Sequence, residues 1–129
     1  MATTDTTEPL YDQLIFELYV RDLDAAVHFF EQFGFDVHRR QGNFVELIWG
    51  QARIFLEQTE RAPTLDGQVV GNVRVLVPDV DRYWEIAQRL GVPVILPIED
   101  RYYGLRDFTI AGPNGIGLRF ASWLGEPGD

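Results

Sequence analysis

The sequence predicts an α+β protein made of two tandem βαβββ modules, whose curved mixed sheet forms a cup with the helices outside. Three observations predict it. The chain repeats itself: "LYVRDLDAAVHFFEQFGF" from 18 to 35 and "LVPDVDRYWEIAQRLGV" from 76 to 92 share an apolar strand end, an Asp-apolar-Asp step, an amphipathic stretch and a Gly. Asp22 and Asp79, Asp24 and Asp81, Gly34 and Gly91, and Val20 and Val77 are each 57 positions apart. Each copy opens on a short strand-like run and is followed by further short β-rich runs separated by Gly, Asn and Pro turns.

Taken in order, Leu14 to Val20 alternates as a strand, with Phe16, Leu18 and Val20 on a wholly apolar face and Ile15, Glu17 and Tyr19 on the other. Asp22 or Asp24 supplies a helix N-terminal acceptor, Ala26, Phe29, Phe30 and Phe33 form the buried stripe, and Gly34 ends the helix. Strands follow at Phe35 to Arg39, Phe44 to Trp49 and Arg53 to Gln58, joined by turns at Gln41-Gly42-Asn43 and Gly50-Gln51. Pro63 to Gly67 reads as a linker. The second copy gives a strand over Val73 to Val77, a helix over Asp81 to Leu90, a strand over Val94 to Pro97, and a hairpin in "YYGLRDFTIAGPNGIGLRF", residues 102 to 120. Residues 1–129 are therefore expected to form one domain, with modules at about 13–60 and 71–122 and a linker at about 61–70.

Composition narrows the function. An apolar content of 46% with 24% charged residues fits an ordinary soluble protein, and no apolar stretch approaches a membrane span. The polar opening MATTDTTEPL lacks the basic and hydrophobic regions of a signal peptide, which favours the cytoplasm. With no Cys there are no disulfides, thiol nucleophiles or thiolate metal sites. Twenty acidic and eleven basic side chains give a net charge of −9, which disfavours nucleic acid and membrane partners and favours cations. The chain has no P-loop, no dinucleotide fingerprint and no Ser-His-Asp order; Gly112-Pro113-Asn114-Gly115 joins two strands and opens no helix.

The paired modules, and above all "YGLRDFTIAGPNGIGLRF", resemble the vicinal oxygen chelate superfamily, which includes glyoxalase I, extradiol dioxygenases and bleomycin resistance proteins. The similarity runs from about Leu14 to Phe120 and is most specific to the resistance-protein branch, through Tyr103, Gly104, Arg106, Asp107, Phe108, Pro113, Gly115, Arg119 and Phe120. The usual Asp before the Pro is Gly112 here, and the common Asn after the Gly is Ile116. The resemblance implies metal ligands at positions 15, 55, 72 and 119, which hold Ile15, Phe55, Asn72 and Arg119. Hydrocarbon, a weak neutral donor and a cation do not make a divalent site. A relocated site would have to come from Glu17, Glu46, Glu57, His28 and His38, whose spacing forms no ligand motif.

A metal-free, cofactor-free cup with an aromatic rim suits binding of a small molecule. Tyr102 and Tyr103 are the stacking candidates, and Glu17, Tyr19, Trp49, Phe55, Arg74 and Arg119 the other inward-facing ones. Tyr19 and Trp49 read equally as sheet packing, while Tyr83 and Trp84 read as helix packing. Glu17 and the acidic charge favour a planar or cationic, antibiotic-like ligand, whereas Arg74 and Arg119 suit an anion or neutralise inward glutamates. The resemblance implies a homodimer with ligand grooves at the subunit interface, and sequestration without turnover; the alternative is a metal-dependent lyase, isomerase or dioxygenase with a displaced site.

Overall fold

The computed structural model describes residues 14–63 and 69–125, so most of the linker assigned to Pro63–Gly67 and the polar opening lie outside the described residues. The first module runs β1 (Phe16–Val20), α1 (Leu23–Glu31), β2 (Asp36–Gln41), β3 (Phe44–Trp49) and β4 (Ala52–Gln58). The second runs β5 (Gly71–Leu76), α2 (Val80–Leu90), β6 (Val94–Asp100), β7 (Leu105–Ala111) and β8 (Ile116–Trp123). Strand order is β1-β4-β3-β2 in one sheet and β5-β8-β7-β6 in the other, the same topology twice. In both, the first strand lies parallel to the last and the remaining pairs are antiparallel.

Local chemistry starts each helix. Asp22 caps α1, its Oδ1 accepting from the Ala25 amide at 3.1 Å, and the Leu23 amide donates to Gln58 Oε1 at 2.9 Å. The repeat suggests the same for Asp79, but its side chain makes no cap bond. Ser122 does that work from β8: its Oγ accepts from the Val80 amide at 2.8 Å and donates to the Val77 carbonyl at 2.7 Å. In each module, then, the last strand reaches over to hold the first turn of the helix. Gly91 ends α2 at φ 70°, a left-handed conformation that a side chain would strain.

Each helix lies on one face of its sheet. Leu18 and Val20 of β1, Val45 and Leu47 of β3, and Ile54 and Leu56 of β4 are buried under Leu23, Ala26, Val27 and Phe30 of α1. Phe108 and Ile110 of β7 and Leu118 and Phe120 of β8 meet Val80, Ala87, Tyr83 and Trp84 of α2. The opposite faces carry Glu17, Phe55, Arg74 and Arg119 and bear no helix. The two modules supply two four-stranded mixed sheets, with no ladder joining β1 to β5. A cleft of about 550 Å³ lies between the modules, lined by Phe16 of β1, the turn from β3 into β4 and Val73 to Leu76 of β5. Phe16, placed on the buried face by alternation, lines this cleft and stays 39% exposed.

The modules join through rings. Phe33 lies 5.2 Å from Phe120, Tyr83 stacks on Phe120 at 5.0 Å, and Trp49 touches Phe35 at 5.1 Å and Tyr83 at 5.5 Å, all centroid distances. Both helix-bearing faces therefore share one core, with Phe120 at its centre. Gly34 permits this packing: at φ 122° it lies under the Trp49 indole, where an added Cβ would stand 3.2 Å from a ring carbon. Among the described residues, no helix is long and apolar enough to cross a membrane.

Replacing Phe120 by Ala should lower unfolding free energy by about 3–5 kcal/mol, since it empties a ring-sized space that several rigid aromatics border. Tyr19→Ala, at an exposed position, should stay within about 0.5 kcal/mol. Urea unfolding of both variants checks the contrast.

Candidate ligand-binding site

The helix-free face of the second sheet is organised by a buried acid. Asp107 sits on β7 with 0% exposure. Its Oδ1 accepts from Arg101 Nε at 2.8 Å; its Oδ2 accepts from the Tyr103 hydroxyl at 2.7 Å and from Arg119 Nη2 at 3.0 Å. Arg119 also donates to the Tyr103 oxygen. Burial alone would push the Asp107 carboxyl up, but the bonds from Tyr103, Arg101 and Arg119 outweigh it and hold the group below the ordinary carboxylate range. Burial and the Asp107 carboxylate together push the Tyr103 phenol up.

The consequence is a tyrosine with one side fixed and one side open. The Tyr103 hydroxyl is pinned while the residue remains 38% exposed, and its ring carries the Arg74 guanidinium 5.8 Å from the centroid. Tyr102, 98% exposed, meets it edge to face at 5.1 Å. Arg74 and Arg119 are register partners across β5 and β8, so both belong to this face. Thr109, the partner of Arg119 across β7 and β8, is buried, and its hydroxyl is the one buried side-chain group among the described residues without a hydrogen-bond partner.

The first sheet has an analogous centre. Glu46 of β3 is buried between Arg39 of β2, at 3.3 Å, and Arg53 of β4, with which it forms a close ion pair. In both modules the third strand thus presents a buried carboxylate to arginines reaching in from either side. Glu17 and Glu46 both pair in register with Phe55, whose ring packs on Phe44 at 4.9 Å. Tyr19 pairs with Glu57 and is exposed.

Of the eight residues the sequence offered for ligand contact, Arg74, Tyr102, Tyr103 and Arg119 come together on the second sheet. Glu17, Tyr19 and Phe55 lie on the open face of the first. Trp49 sits among Phe35, Tyr83 and Phe120 and also borders the cleft. Tyr83 and Trp84 pack on the second sheet, Trp84 at 5.1 Å from Phe108. Sequence reasoning missed Asp107 and Arg101 as site residues. A charged residue inside the apolar run "LRDFTIA" was the available signal for Asp107.

The positions at which a metal would be held do not fit one. Arg119 spends its donors on Asp107 and Tyr103, the Asn72 carboxamide lies over Gly117 where a Cβ would collide with it, and Ile15 and Phe55 offer hydrocarbon. Among the described residues no three His, Asp or Glu side chains gather as a ligand set.

Asp107→Asn should cost about 3–5 kcal/mol, because it removes the charge that two inward guanidinia face. The pH dependence has a definite sign. A depressed folded pKa contributes fully above the unfolded carboxylate value, about 4, and is lost as pH falls below that value through the folded one. Acid unfolding followed by circular dichroism should show the native protein losing stability more steeply below about pH 4 than the Asn variant, which has no such group to protonate.

Three solved structures show the same architecture. TioX from Micromonospora sp. ML1 is similar at TM-score 0.73 and 26% identity, covering 86% of this chain and 98% of that one. A bleomycin-binding protein complexed with bleomycin matches at TM-score 0.68 and 20% identity, covering 86% and 98%. Lactoylglutathione lyase from Agrobacterium tumefaciens matches at TM-score 0.68 and 22% identity, covering 89% and 96%. No curated protein matches the chain. The family model for the Glyoxalase/Bleomycin resistance protein/Dioxygenase superfamily matches residues 12–120, and with the doubled βαβββ topology just described, this chain belongs to that superfamily.

Proposed function

We propose that the protein is a metal-independent small-molecule binder that sequesters a planar or cationic, antibiotic-like ligand in a groove between two copies of the chain in the cytoplasm. The observation that carries this reading is Tyr103. Its hydroxyl is locked by Asp107 and Arg119 while its ring stays open beside the almost fully exposed Tyr102. An aromatic surface held rigid before the ligand arrives loses little conformational entropy on binding, and stacking on it contributes on the order of 1 kcal/mol beyond area burial.

Charge supports pairing of copies. Beyond the paired Glu46 centre the open face of the first sheet carries Glu17 and Glu57, and beyond the paired Asp107 centre that of the second carries Arg74; set against each other in a two-fold pair, these surplus charges are complementary and would flank a groove twice. Glu17, exposed and the register partner of Phe55, would meet a cationic group, and Tyr102 and Tyr103 a flat one. Binding of this kind protects a target by removing free drug and needs no turnover. The family positions occupied by Ile15, Phe55, Asn72 and Arg119 support the metal-free part of the reading.

Titration of intrinsic fluorescence with bleomycin is the test. The expected result is saturable quenching with one site per chain, and a five- to tenfold, order-of-magnitude weaker affinity in Tyr103→Ala. A flat titration with bleomycin and with other planar cationic drugs would remove the support for sequestration, and a monomer by sedimentation at micromolar concentration would remove the shared groove.

A further inference from the structure

The cleft between β1 and β5 has a chemistry of its own. We infer that it is a second binding site, contained within one chain, for an apolar molecule bearing a single anionic group, with Arg74 receiving the anion. Its volume of about 550 Å³ is that of a small-ligand pocket. Phe16, Trp49, Val73 and Leu76 give it apolar walls. In a chain where acidic side chains outnumber basic ones 20 to 11, the described residues lining this cleft include no Asp or Glu and two arginines, Arg53 and Arg74.

The two arginines are not equivalent. Arg53 is committed to Glu46. Arg74 rests on the Tyr103 ring, and no carboxylate among the described residues pairs with it. A guanidinium held over a ring without a carboxylate partner keeps N–H donors unspent, and those donors fit a carboxylate, sulfonate or phosphate oxygen pair. Neighbouring hydrocarbon lowers the local dielectric and strengthens the pairing. A cation would meet repulsion here, and a neutral hydrocarbon would cover the guanidinium without supplying an acceptor. The mouth adds driving force: Leu14 and Leu76 are exposed apolar side chains that a ligand body would cover. The cleft has walls of its own in Phe16, Trp49, Val73 and Leu76 and shares Arg74 with the face that carries Tyr103.

The test uses the full chain and two probes sharing one ring system, 1-anilinonaphthalene-8-sulfonate and its uncharged counterpart N-phenyl-1-naphthylamine, followed by fluorescence. The sulfonate should bind with one site per chain and more tightly than the uncharged amine. Arg74→Gln should weaken the sulfonate about tenfold and leave the amine unchanged. Ala52→Trp, at the exposed rim, should fill the cleft and abolish both while the far-ultraviolet circular dichroism stays native. Equal affinity for the two probes, an Arg74→Gln variant indistinguishable from the native chain, or full binding in Ala52→Trp would each overturn the assignment. Competitive displacement of the sulfonate by bleomycin would also overturn it, by making cleft and groove one site.

Discussion

A buried carboxylate sets the geometry of the second module. Asp107 is fully removed from solvent, a placement that costs several kcal/mol unless every lone pair finds a donor. It finds them in Arg101 beyond β6, Tyr103 in the following turn, and Arg119 on β8, so one side chain adds a side-chain tie between three segments of the module. Gly104, at φ 89°, lets the chain turn between the tyrosines and β7 so that Tyr103 can reach back. Everything exposed on that face follows: the ring angle of Tyr103 fixes where Arg74 stacks and where Tyr102 projects.

The first module repeats the device with different partners. Glu46, flanked by Arg39 and Arg53, occupies the corresponding third strand, and Arg39 additionally lies over the Phe44 ring at 5.5 Å. Yet the two faces end with opposite character, because Glu17 and Glu57 stand beside one centre and Arg74 beside the other. Duplication supplied the same backbone twice, with the same reach from last strand to helix start through Gln58 and Ser122. Divergence acted on the surplus charge. A two-fold assembly exploits such a difference, since each copy then offers both halves of a complementary pair.

What was readable in the sequence was local or periodic. The 57-residue register located both helices, the alternation in β1 placed Leu18 and Val20 in the core, and Gly91 marked the end of α2, whereas α1 closes at Glu31 ahead of the Gly34 expected to end it. Contacts between residues far apart in the chain were not readable. The helix cap at Ser122 lies 42 positions from Val80, and nothing at Asp79 announces that its own cap is idle. β6 runs on through Pro97 to Asp100 because it is an edge strand, where a proline without an N–H interrupts no ladder on its outer side. Phe16 follows the alternation in direction but not in burial, because it borders the open cleft between the modules. For the candidate site, the hairpin motif located Tyr103 and Arg119 but hid their purpose: Arg106 ties β7 to α2 and β6 through Asp81 and Asp100, Phe108 fills core, and Asp107 is the hub.

The absent metal ligand at position 119 and the Asp107 network are one structural fact. Arg119 delivers two of its donors to the carboxylate and a contact to the Tyr103 oxygen, so a carboxylate in its place would set two like charges together while leaving Asp107 short of donors. The Asn72 carboxamide lies over Gly117, where only glycine leaves room for it. A carboxylate introduced at position 119 would therefore remove donors from Asp107 and Tyr103 at the same time, and the support of that aromatic ring would go with them.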